Sequence, residues 1–330
     1  MCLLLTTASV LSAVQGGACV FQPGEVWLDT AGKPIQAHGG GILHHDGVYY
    51  WYGENKDGPT LEGQRVDVIG VSCYRSTDLC HWSYEGLALK AVAGDPEHDL
   101  HPSKVCERPK VLYNAKTGKF VMWMHIDQPG YQYARVGTAV SDTPKGPFTF
   151  LGSQRPNGGE SRDMTLFQDD DGAAYLVFGT GWHTHVQIAR LSDDYLSLTG
   201  EHVNILERKG PPDGREAPAL FKRKGKYYLI TSGTTGWHQN PTEYAVADDI
   251  MGPWTTAGDP CSGANADTTY HSQSTFVLPV AGMEDTFIYL GDRWNPENLR
   301  DSRYVWLPIR FEGDTLRILW RDTWTLDDLR

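Results

Sequence analysis

The segment Gly41-Ile-Leu-His-His-Asp-Gly-Val-Tyr-Tyr-Trp-Tyr52 joins an apolar run to an aromatic run through the tight turn Asp46-Gly47. Two short apolar runs separated by Asp-Gly predict a pair of antiparallel strands with a hairpin turn. Similar phrases return four more times, at residues 110–123, 165–178, 219–230 and 275–290. Hairpin repeats with a period near 50 residues are typical of β-propellers. We therefore predict an all-β fold, a five-bladed β-propeller.

A second pattern follows each hairpin, and it supplies the other half of a blade. At residues 70–82, 137–148, 187–195, 244–254 and 303–320, most copies contain a strand, a polar turn and a further strand. Two strands plus two strands make the four-stranded blade of a propeller. No linker divides the repeats, so we predict one propeller domain over residues 19–330. Residues 24–29 are a candidate to complete the last blade.

Composition narrows the class of ligand. The net charge is −12 and no long basic run is present, which argues against nucleic acid or an anionic membrane as partner. A neutral ligand suits this surface better, and we expect the protein to act as a monomer. Most of the 11 Trp and 16 Tyr residues are expected to pack blades. The remainder could stack on the apolar faces of sugars.

The N-terminal residues and the cysteines bear on location. Residues 1–18 are apolar and small, which predicts a signal peptide and a secreted protein, although no Lys or Arg precedes the apolar run. The alternative is an N-terminal extension without that role. None of the six cysteines forms a Cys-x-x-Cys pair, which argues against a structural zinc site. In a secreted chain, one or two disulfides among the later five cysteines are expected, with the pairing open.

Polar residues recur about a dozen positions before the aromatic residue of each second strand. We call them the ring residues: His38, Glu107, Asp163, Glu216 and Gln273. Three carboxylates that converge on one channel repel one another, which raises the pKa of at least one of them. A raised carboxyl pKa suits a general acid, and glycoside hydrolysis is the reaction such a set serves. Alternatively, these side chains cap strand ends or pair with the adjacent Arg108, Arg162 and Arg215.

Several phrases of the sequence together carry a family resemblance that spans residues 21–328. They are Ala37-His-Gly-Gly-Gly-Ile42, Tyr49-Tyr-Trp-Tyr-Gly-Glu54, Glu107-Arg-Pro-Lys-Val111, Arg162-Asp-Met-Thr-Leu166, Glu216-Ala-Pro-Ala219, Ser272-Gln-Ser-Thr-Phe276, Gly291-Asp-Arg-Trp294 and Asp301-Ser-Arg-Tyr-Val-Trp306. On these phrases the chain resembles glycoside hydrolase family 43, and within it the exo-β-1,3-galactanase branch. The resemblance implies an inverting exo-glycosidase that releases galactose from β-1,3-galactan, the backbone of arabinogalactan.

The resemblance also implies residue roles. Glu216 would be the general acid, Asp163 would hold and tune it, and Glu107 would bind substrate or the attacking water. Glu54, Tyr131, Glu207 and Thr234 match positions where this branch contacts galactose, and His38 would join them as a substrate-binding residue.

One departure concerns the general base. The wider family uses an aspartate in blade one, where this chain has His38, and the galactanase branch is thought to use the position of Gln273 to place or activate water. A neutral amide is a very poor base, so Gln273 would act either through an unusual tautomer or by orienting a water that another group deprotonates. Glu107 is the candidate for that other group.

Two alternative functions remain open at this point. One is a family-43 α-L-arabinofuranosidase or β-xylosidase, and the other is a non-catalytic carbohydrate-binding propeller.

Metal binding has weaker signals. We interpret Asp169-Asp-Asp-Gly172 as a hairpin turn rather than a calcium loop, because the acidic residue that would complete an EF-hand is absent. His183 and His185 could share a strand face, but loop or channel positions fit them better. No cofactor is required, and a central cation remains an option with unassigned ligands.

Overall fold

A computed structural model describes residues 19–59 and 66–330 of the chain. The predicted signal peptide at residues 1–18 lies outside the described residues. Within the described part, no helix is long and apolar enough to cross a membrane.

The chain forms five sheets of four antiparallel strands, and each sheet keeps the strands in chain order. The first two blades contain β1 (His38–His45), β2 (Val48–Glu54), β3 (Gly70–Ser76), β4 (Ser83–Lys90), β5 (Val105–Asn114), β6 (Lys119–Asp127), β7 (Arg135–Ser141) and β8 (Thr149–Gln154). The third and fourth contain β9 (Met164–Gln168), β10 (Ala174–Thr180), β11 (His185–Leu191), β12 (Leu198–Ile205), β13 (Glu216–Arg223), β14 (Lys226–Ser232), β15 (Thr242–Ala247) and β16 (Thr255–Gly258). The fifth contains β17 (Gln273–Pro279), β18 (Phe287–Arg293), β19 (Arg303–Glu312) and β20 (Thr315–Ile318).

The first strands of the five blades lie innermost. β1, β5, β9, β13 and β17 contact one another in sequence around a common axis, and β17 closes the circle against β1. The five-bladed propeller predicted from the repeats is confirmed. Short 3₁₀ helices occur at Pro156–Gly158, Ala266–Thr268, Leu299–Asp301 and Leu326–Leu329.

The hairpin turns follow the chemistry predicted from sequence. Asp46 and Gly47 both have positive φ (49° and 77°), as a two-residue type I′ turn between twisted strands requires. The predicted turn at residues 169–172 is also present, closed by the Asp169 N–H donating to the Ala173 carbonyl. The Asp169 carboxylate accepts hydrogen bonds from Lys222 and Tyr227 of the next blade.

Aromatic side chains fill the spaces between blades. Trp51, Trp82, Trp306 and Trp324 are buried together where blade five meets blade one. Trp123 in blade two donates its indole N–H to the Tyr195 carbonyl of blade three, 2.8 Å away. Each such ring removes a large apolar area from water while its polar edge keeps a partner. Blade packing therefore accounts for many of the aromatic residues.

The N-terminal segment packs against blade five, but it does not complete that blade. Phe21 forms a single antiparallel bridge with Trp324, and the Gly24 N–H donates to the Tyr304 carbonyl. Residues 24–29 add no strand, because β17–β20 already supply all four. The prediction that they complete the last blade was wrong.

One disulfide is present among the described cysteines. It joins Cys19 to Cys80 and so ties the N-terminal segment to blade one. Cys73, Cys106 and Cys261 are free and buried.

Three inner strands carry the same irregularity directly after their ring residue. The pairing register shifts between His38 and Gly41, between Glu107 and Lys110, and between Glu216 and Ala219. In each bulge the residue after the ring residue has left-handed backbone, with φ values of 58° (Gly39), 54° (Arg108) and 53° (Ala217). A bulge re-aims a side chain at the end of a strand. These bulges position His38, Glu107 and Glu216 at the end of the central channel.

Candidate active site

Four of the five ring residues line one cavity at the end of the channel. Glu107, Asp163, Glu216 and Gln273 face a volume of about 290 Å³. The other lining residues are Glu54, Arg108, His125, Gly130, Tyr131, Arg162, Trp182, His183, Gly236, Trp237 and Trp294. The spacing of the repeats therefore brings the predicted carboxylates together.

Arg108 connects three of the blades. Its guanidinium donates to both oxygens of Asp163, at 3.1 Å each, and to the Ser274 carbonyl at 3.0 Å. It also donates to Oε1 of Gln273. Glu107 and Glu216 do not pair with the arginines adjacent to them in sequence. Arg108 binds Asp163 of the next blade, and Arg215 donates to Thr231.

Glu216 lies where its protonated form is favoured. Burial raises its pKa well above the ordinary value, and the neighbouring Asp163 carboxylate raises it further. Oε1 accepts a hydrogen bond of 2.7 Å from Nε2 of Gln273, and Oε2 lies 3.7 Å from Nε2 of His183. Because Oε1 is occupied by a donor, Oε2 is the natural carrier of the acidic proton. Glu216 has the properties of a general acid at neutral pH.

Gln273 is held at both ends of its amide. Oε1 accepts from Arg108 and, at 3.0 Å, from the indole N–H of Trp294. One proton of Nε2 is donated to Glu216. An oxygen that already accepts from two donors is poorly placed to carry a proton, which disfavours the imidic-acid tautomer in this geometry. The second Nε2 proton remains available to hold a water or a hydroxyl.

Glu107 occupies the opposite electrostatic environment. Burial by itself would raise its pKa, but the neighbouring His125, the charge of Lys56 and the hydrogen bond from Tyr131 lower the pKa to about 2. The Tyr131 hydroxyl lies 2.8 Å from Oε1, and Nδ1 of His125 lies 3.4 Å from Oε2. Glu107 is therefore a firmly held anion.

His125 is the cation that stabilises this anion from behind. Burial lowers its pKa, but the hydrogen bond to Asp127 and the charges of Glu107 and Asp127 outweigh that effect and raise the pKa to about 9. Its Nε2 lies 3.0 Å from Asp127. His125 therefore lies between two buried carboxylates, hydrogen-bonded to Asp127 through Nε2 and facing Glu107 with Nδ1.

The predicted substrate-binding residues fall into two groups. Glu54 and Tyr131 line the cavity, and Glu54 pairs with Lys56 at 2.6 Å and accepts from the Arg108 backbone N–H at 3.0 Å. Burial raises the pKa of Glu54. Glu207 and Thr234 do not line the cavity. Glu207 is exposed beyond the outer strand of blade three, on a groove of about 660 Å³, and Thr234 is buried with its hydroxyl donating to the Pro212 carbonyl.

His38 lies beneath the cavity rather than in its wall. Its side chain is 0% exposed, stacks on Tyr304 with a ring-centroid distance of 4.9 Å, and places Nδ1 3.4 Å from Asp292. Asp292 also accepts from the backbone N–H of Gly39 at 3.1 Å. A fully buried side chain cannot contact substrate in this arrangement, so the structure places His38 as a support for the blade-one bulge.

Sequence reasoning missed several residues of the cavity. Trp182 and Trp237 are about half-exposed at its edge, and Trp294 binds Gln273. Trp294 stood in a phrase that carried the resemblance, but its contact with blade five's own ring residue was not apparent. His125 gave no signal beyond its residue type. The aromatic rims of such cavities come from loops, whose spatial positions do not follow from the repeat.

The option of a central cation gains no side-chain ligands from the described residues. Among residues 19–59 and 66–330, no group of three or more His, Cys, Asp or Glu side chains is arranged to hold a metal ion. Nε2 of His183 lies 3.7 Å from Glu216, whereas Nδ1 of His185 is hydrogen-bonded to the Thr184 hydroxyl.

Comparisons with known proteins agree with this geometry. The family model described as glycosyl hydrolases family 43 matches residues 34–297. A β-D-galactofuranosidase of Aspergillus niger is 34% identical over 195 residues, which cover 56% of this chain and 54% of that protein. The chain thus spans about half the length of this curated relative.

Solved structures are similar over nearly the whole chain. A family-43 β-1,3-galactosidase is 40% identical with a TM-score of 0.88, covering 95% of this chain and 65% of the other. A variant of the exo-β-1,3-galactanase of Phanerochaete chrysosporium, solved with β-1,3-galactotriose, is 38% identical with a TM-score of 0.83 and covers 93% and 68% of the two chains.

Proposed function

The chain belongs to glycosyl hydrolase family 43, and on that premise we propose that it is an exo-acting glycosidase that hydrolyses β-1,3-galactan and releases galactose. The similarity to structures named as β-1,3-galactosidase and exo-β-1,3-galactanase, at 38–40% identity, supports the choice of linkage and sugar.

The observation that carries the proposal is the state of Glu216. Burial and the charge of Asp163 keep this carboxyl protonated. Gln273 donates its hydrogen bond to Oε1 and leaves Oε2 for the acidic proton. In glycoside hydrolysis such a group protonates the departing glycosidic oxygen as the bond breaks. The charge of Asp163 favours the proton on Glu216, and Arg108 holds Asp163 in position through hydrogen bonds to both of its oxygens.

We assign to Gln273 the task of positioning the attacking water. Its remaining Nε2 proton can hold the water oxygen beside the anomeric carbon, and no proton need be accepted by the amide. The transition state of glycoside hydrolysis resembles an oxocarbenium ion, so most of the bond to the leaving group breaks before water attacks. Positioned water then needs little help from a base. Its oxygen bonds to the anomeric carbon from the face opposite the leaving group, its excess proton passes to solvent water, and the anomeric centre is inverted.

Glu107 is better suited to hold sugar hydroxyls than to deprotonate water. A base is most effective when its pKa lies near the working pH, and the pKa of Glu107 is about 2. As a firmly held anion it is a strong acceptor for hydroxyl groups. Glu54 and Tyr131 lie in the same wall and are assigned the same task.

The shape of the site supports attack at a chain end. A cavity of about 290 Å³ lies at the lower limit of small-molecule sites and suits one terminal sugar. Trp182 and Trp237, about half-exposed at the edge, offer aromatic faces to the sugar that follows.

The decisive test is a comparison of substrates. β-1,3-galactobiose, β-1,4-galactobiose and arabinoxylan oligosaccharides are incubated with the protein, and the first anomer released is followed by NMR. We expect cleavage of the β-1,3 disaccharide with an inverted first product. Cleavage of only the arabinoxylan substrates would identify an arabinofuranosidase or xylosidase. Binding without turnover, unchanged in Glu216→Gln, would identify a carbohydrate-binding propeller.

We also propose that the protein works outside the cell. The Cys19–Cys80 disulfide supports this location, because structural disulfides persist in oxidising compartments. Expression of the full chain in a secreting host, with N-terminal sequencing of the protein in the medium, tests it. Retention of the protein in the cytoplasm with residues 1–18 intact would contradict it.

A further inference from the structure

Lys110 is a buried cation for which the proposed chemistry has no direct use. It lies on the inner strand β5, two residues after Arg108, and its side chain is 1% exposed. Its Nζ donates to the carbonyl of Gly39 at 2.8 Å and to the carbonyl of Arg108 at 3.3 Å. These partners are backbone oxygens rather than carboxylates, which is unusual for a buried ammonium group.

Both carbonyls belong to the bulges that orient ring residues. Gly39 and Arg108 are the two residues with left-handed backbone that directly follow His38 and Glu107. The space for the lysine is made by Gly41, where a Cβ atom would lie 2.6 Å from Cδ of Lys110. Gly41 of blade one thus leaves room at the axis for the Lys110 side chain of blade two.

Neighbouring backbone carbonyls near the axis are also satisfied by side chains. Thr275 donates to Gly40 at 2.9 Å, Ser274 donates to Ala217 at 2.6 Å, and Arg108 donates to Ser274 at 3.0 Å. The Gly39 and Arg108 carbonyls that meet at Nζ of Lys110 are ligands that a small cation can also use. Here the Lys110 ammonium occupies that position.

The charges around Lys110 act in opposite directions. Burial and the nearby Arg108 charge lower the pKa of Lys110 to about 7, while Glu54, Asp292 and Asp163 oppose that shift. Those three carboxylates surround the end of the channel and compensate a positive charge there. The positive charge of Lys110 is therefore offset only in part, and without a direct ion pair.

We propose that Lys110 is a positioning residue that serves as the central cation of this propeller, and that its removal leaves a carbonyl-lined site for a small monovalent cation. The proposal rests on the proposed hydrolysis, because Lys110 acts through the Arg108 bulge. Arg108 in turn holds Asp163 and Gln273, and Gln273 holds Glu216. Loss of the ammonium loosens this series of contacts at the bulge.

The first test compares Lys110→Met with the wild type and with Lys226→Met. Lys226 pairs with Asp248 on the surface and serves as the matched control. Methionine fills the same channel without charge, so we expect kcat on β-1,3-galactobiose to fall about 10- to 100-fold with a nearly unchanged KM. The melting temperature should fall, because the carbonyls of Gly39 and Arg108 stay buried and lose their donor. The control should match the wild type in all three quantities.

The second test uses Lys110→Ala with potassium or methylammonium chloride, and tetramethylammonium chloride as the control salt. The small cations should raise the melting temperature of this variant, leave that of the wild type unchanged, and restore part of its kcat. The melting experiment is independent of activity, so a selective shift in a protein inactive on galactobiose would reject the proposed substrate and keep the cation site.

Two results would overturn the proposal. One is wild-type kcat in Lys110→Met. The other is a joint fall of kcat and melting temperature that neither small cation reverses in Lys110→Ala, which would leave Lys110 a purely structural role.

Discussion

Glu107 in blade two and Glu216 in blade four occupy the same position of the repeat, yet they carry opposite electrostatic roles. Each precedes a residue with left-handed backbone in a bulge of the inner strand. The pKa of Glu107 is lowered to about 2, whereas the pKa of Glu216 is raised well above its usual value. The backbone is shared, so the difference comes from the side chains that surround each carboxyl.

Those surroundings differ in charge. Glu107 faces His125, Lys56 and Tyr131, which favour its anion. Glu216 is buried beside the negative charge of Asp163, and these two effects outweigh the Arg108 and Arg215 charges and the hydrogen bond from Gln273. The comparison shows how a repeat protein differentiates equivalent positions: the strand supplies the carboxylate, and neighbours from other strands and loops decide its protonation.

The largest effect is expected from Glu216→Gln, which keeps the shape of the side chain and removes its proton. We expect kcat on β-1,3-galactobiose to fall about 10²- to 10⁴-fold, since general acid catalysis is lost. Steady-state kinetics measure it. An aryl β-galactoside with a good leaving group needs no protonation and should lose much less activity. Equal losses on both substrates would contradict the role of Glu216 as the acid.

Gln273→Ala should have the next largest effect. It removes the hydrogen bond to Glu216 and the donor assigned to water, so we expect kcat to fall about 10- to 100-fold. Gln168→Ala is the matched control, because Gln168 is an amide that donates to Tyr195 far from the cavity. Full activity of Gln273→Ala would remove this residue from the mechanism.

The stabilisation of the Glu107 anion by His125 is tested with His125→Asn, whose stability is measured at two pH values. The folded-state pKa of His125 is raised to about 9, so its stabilisation is complete below the unfolded value near 6.5 and is lost as pH rises through about 9. We expect the free energies of unfolding of wild type and variant to differ by about 3 kcal/mol more at pH 6 than at pH 10. Urea unfolding at the two pH values measures this.

An exposed histidine provides the control for that experiment. His81 pairs with Asp78 at the surface, and His81→Asn should show little of the same pH dependence. If the His125→Asn difference is the same at both pH values, His125 is not the cation that stabilises Glu107.

The smallest effect is expected at the bulge after Glu216, which has the same form as the bulge after Glu107. Ala217 has φ of 53°, and glycine there relieves about 1–2 kcal/mol of backbone strain. The lost buried methyl and the greater entropy of the unfolded chain cost about as much, so Ala217→Gly should change the free energy of unfolding by less than about 1 kcal/mol. Ala217→Val at the same backbone angle should be clearly destabilising. Chemical unfolding compares the pair, and equal stability of both variants would contradict the strain.

The sequence by itself determined the propeller, the number of blades and the location of the ring residues. Hairpin turns such as Asp46-Gly47 are determined by local sequence. The apolar and aromatic runs repeat at the interval that is typical of propeller blades. Position within the repeat was enough to place Glu107, Asp163, Glu216 and Gln273 in one cavity, because each blade presents its first strand to the axis.

Only the tertiary structure decided what each of these residues does. Arg108 lies beside Glu107 in sequence but binds Asp163 of the next blade, and Gln273 binds Glu216 across another blade boundary. The burial of His38 over Asp292 and the displacement of Glu207 from the cavity likewise follow from packing between blades. Protonation depends on charges and donors within a few ångströms, and these come from residues far away along the chain, which no local pattern records.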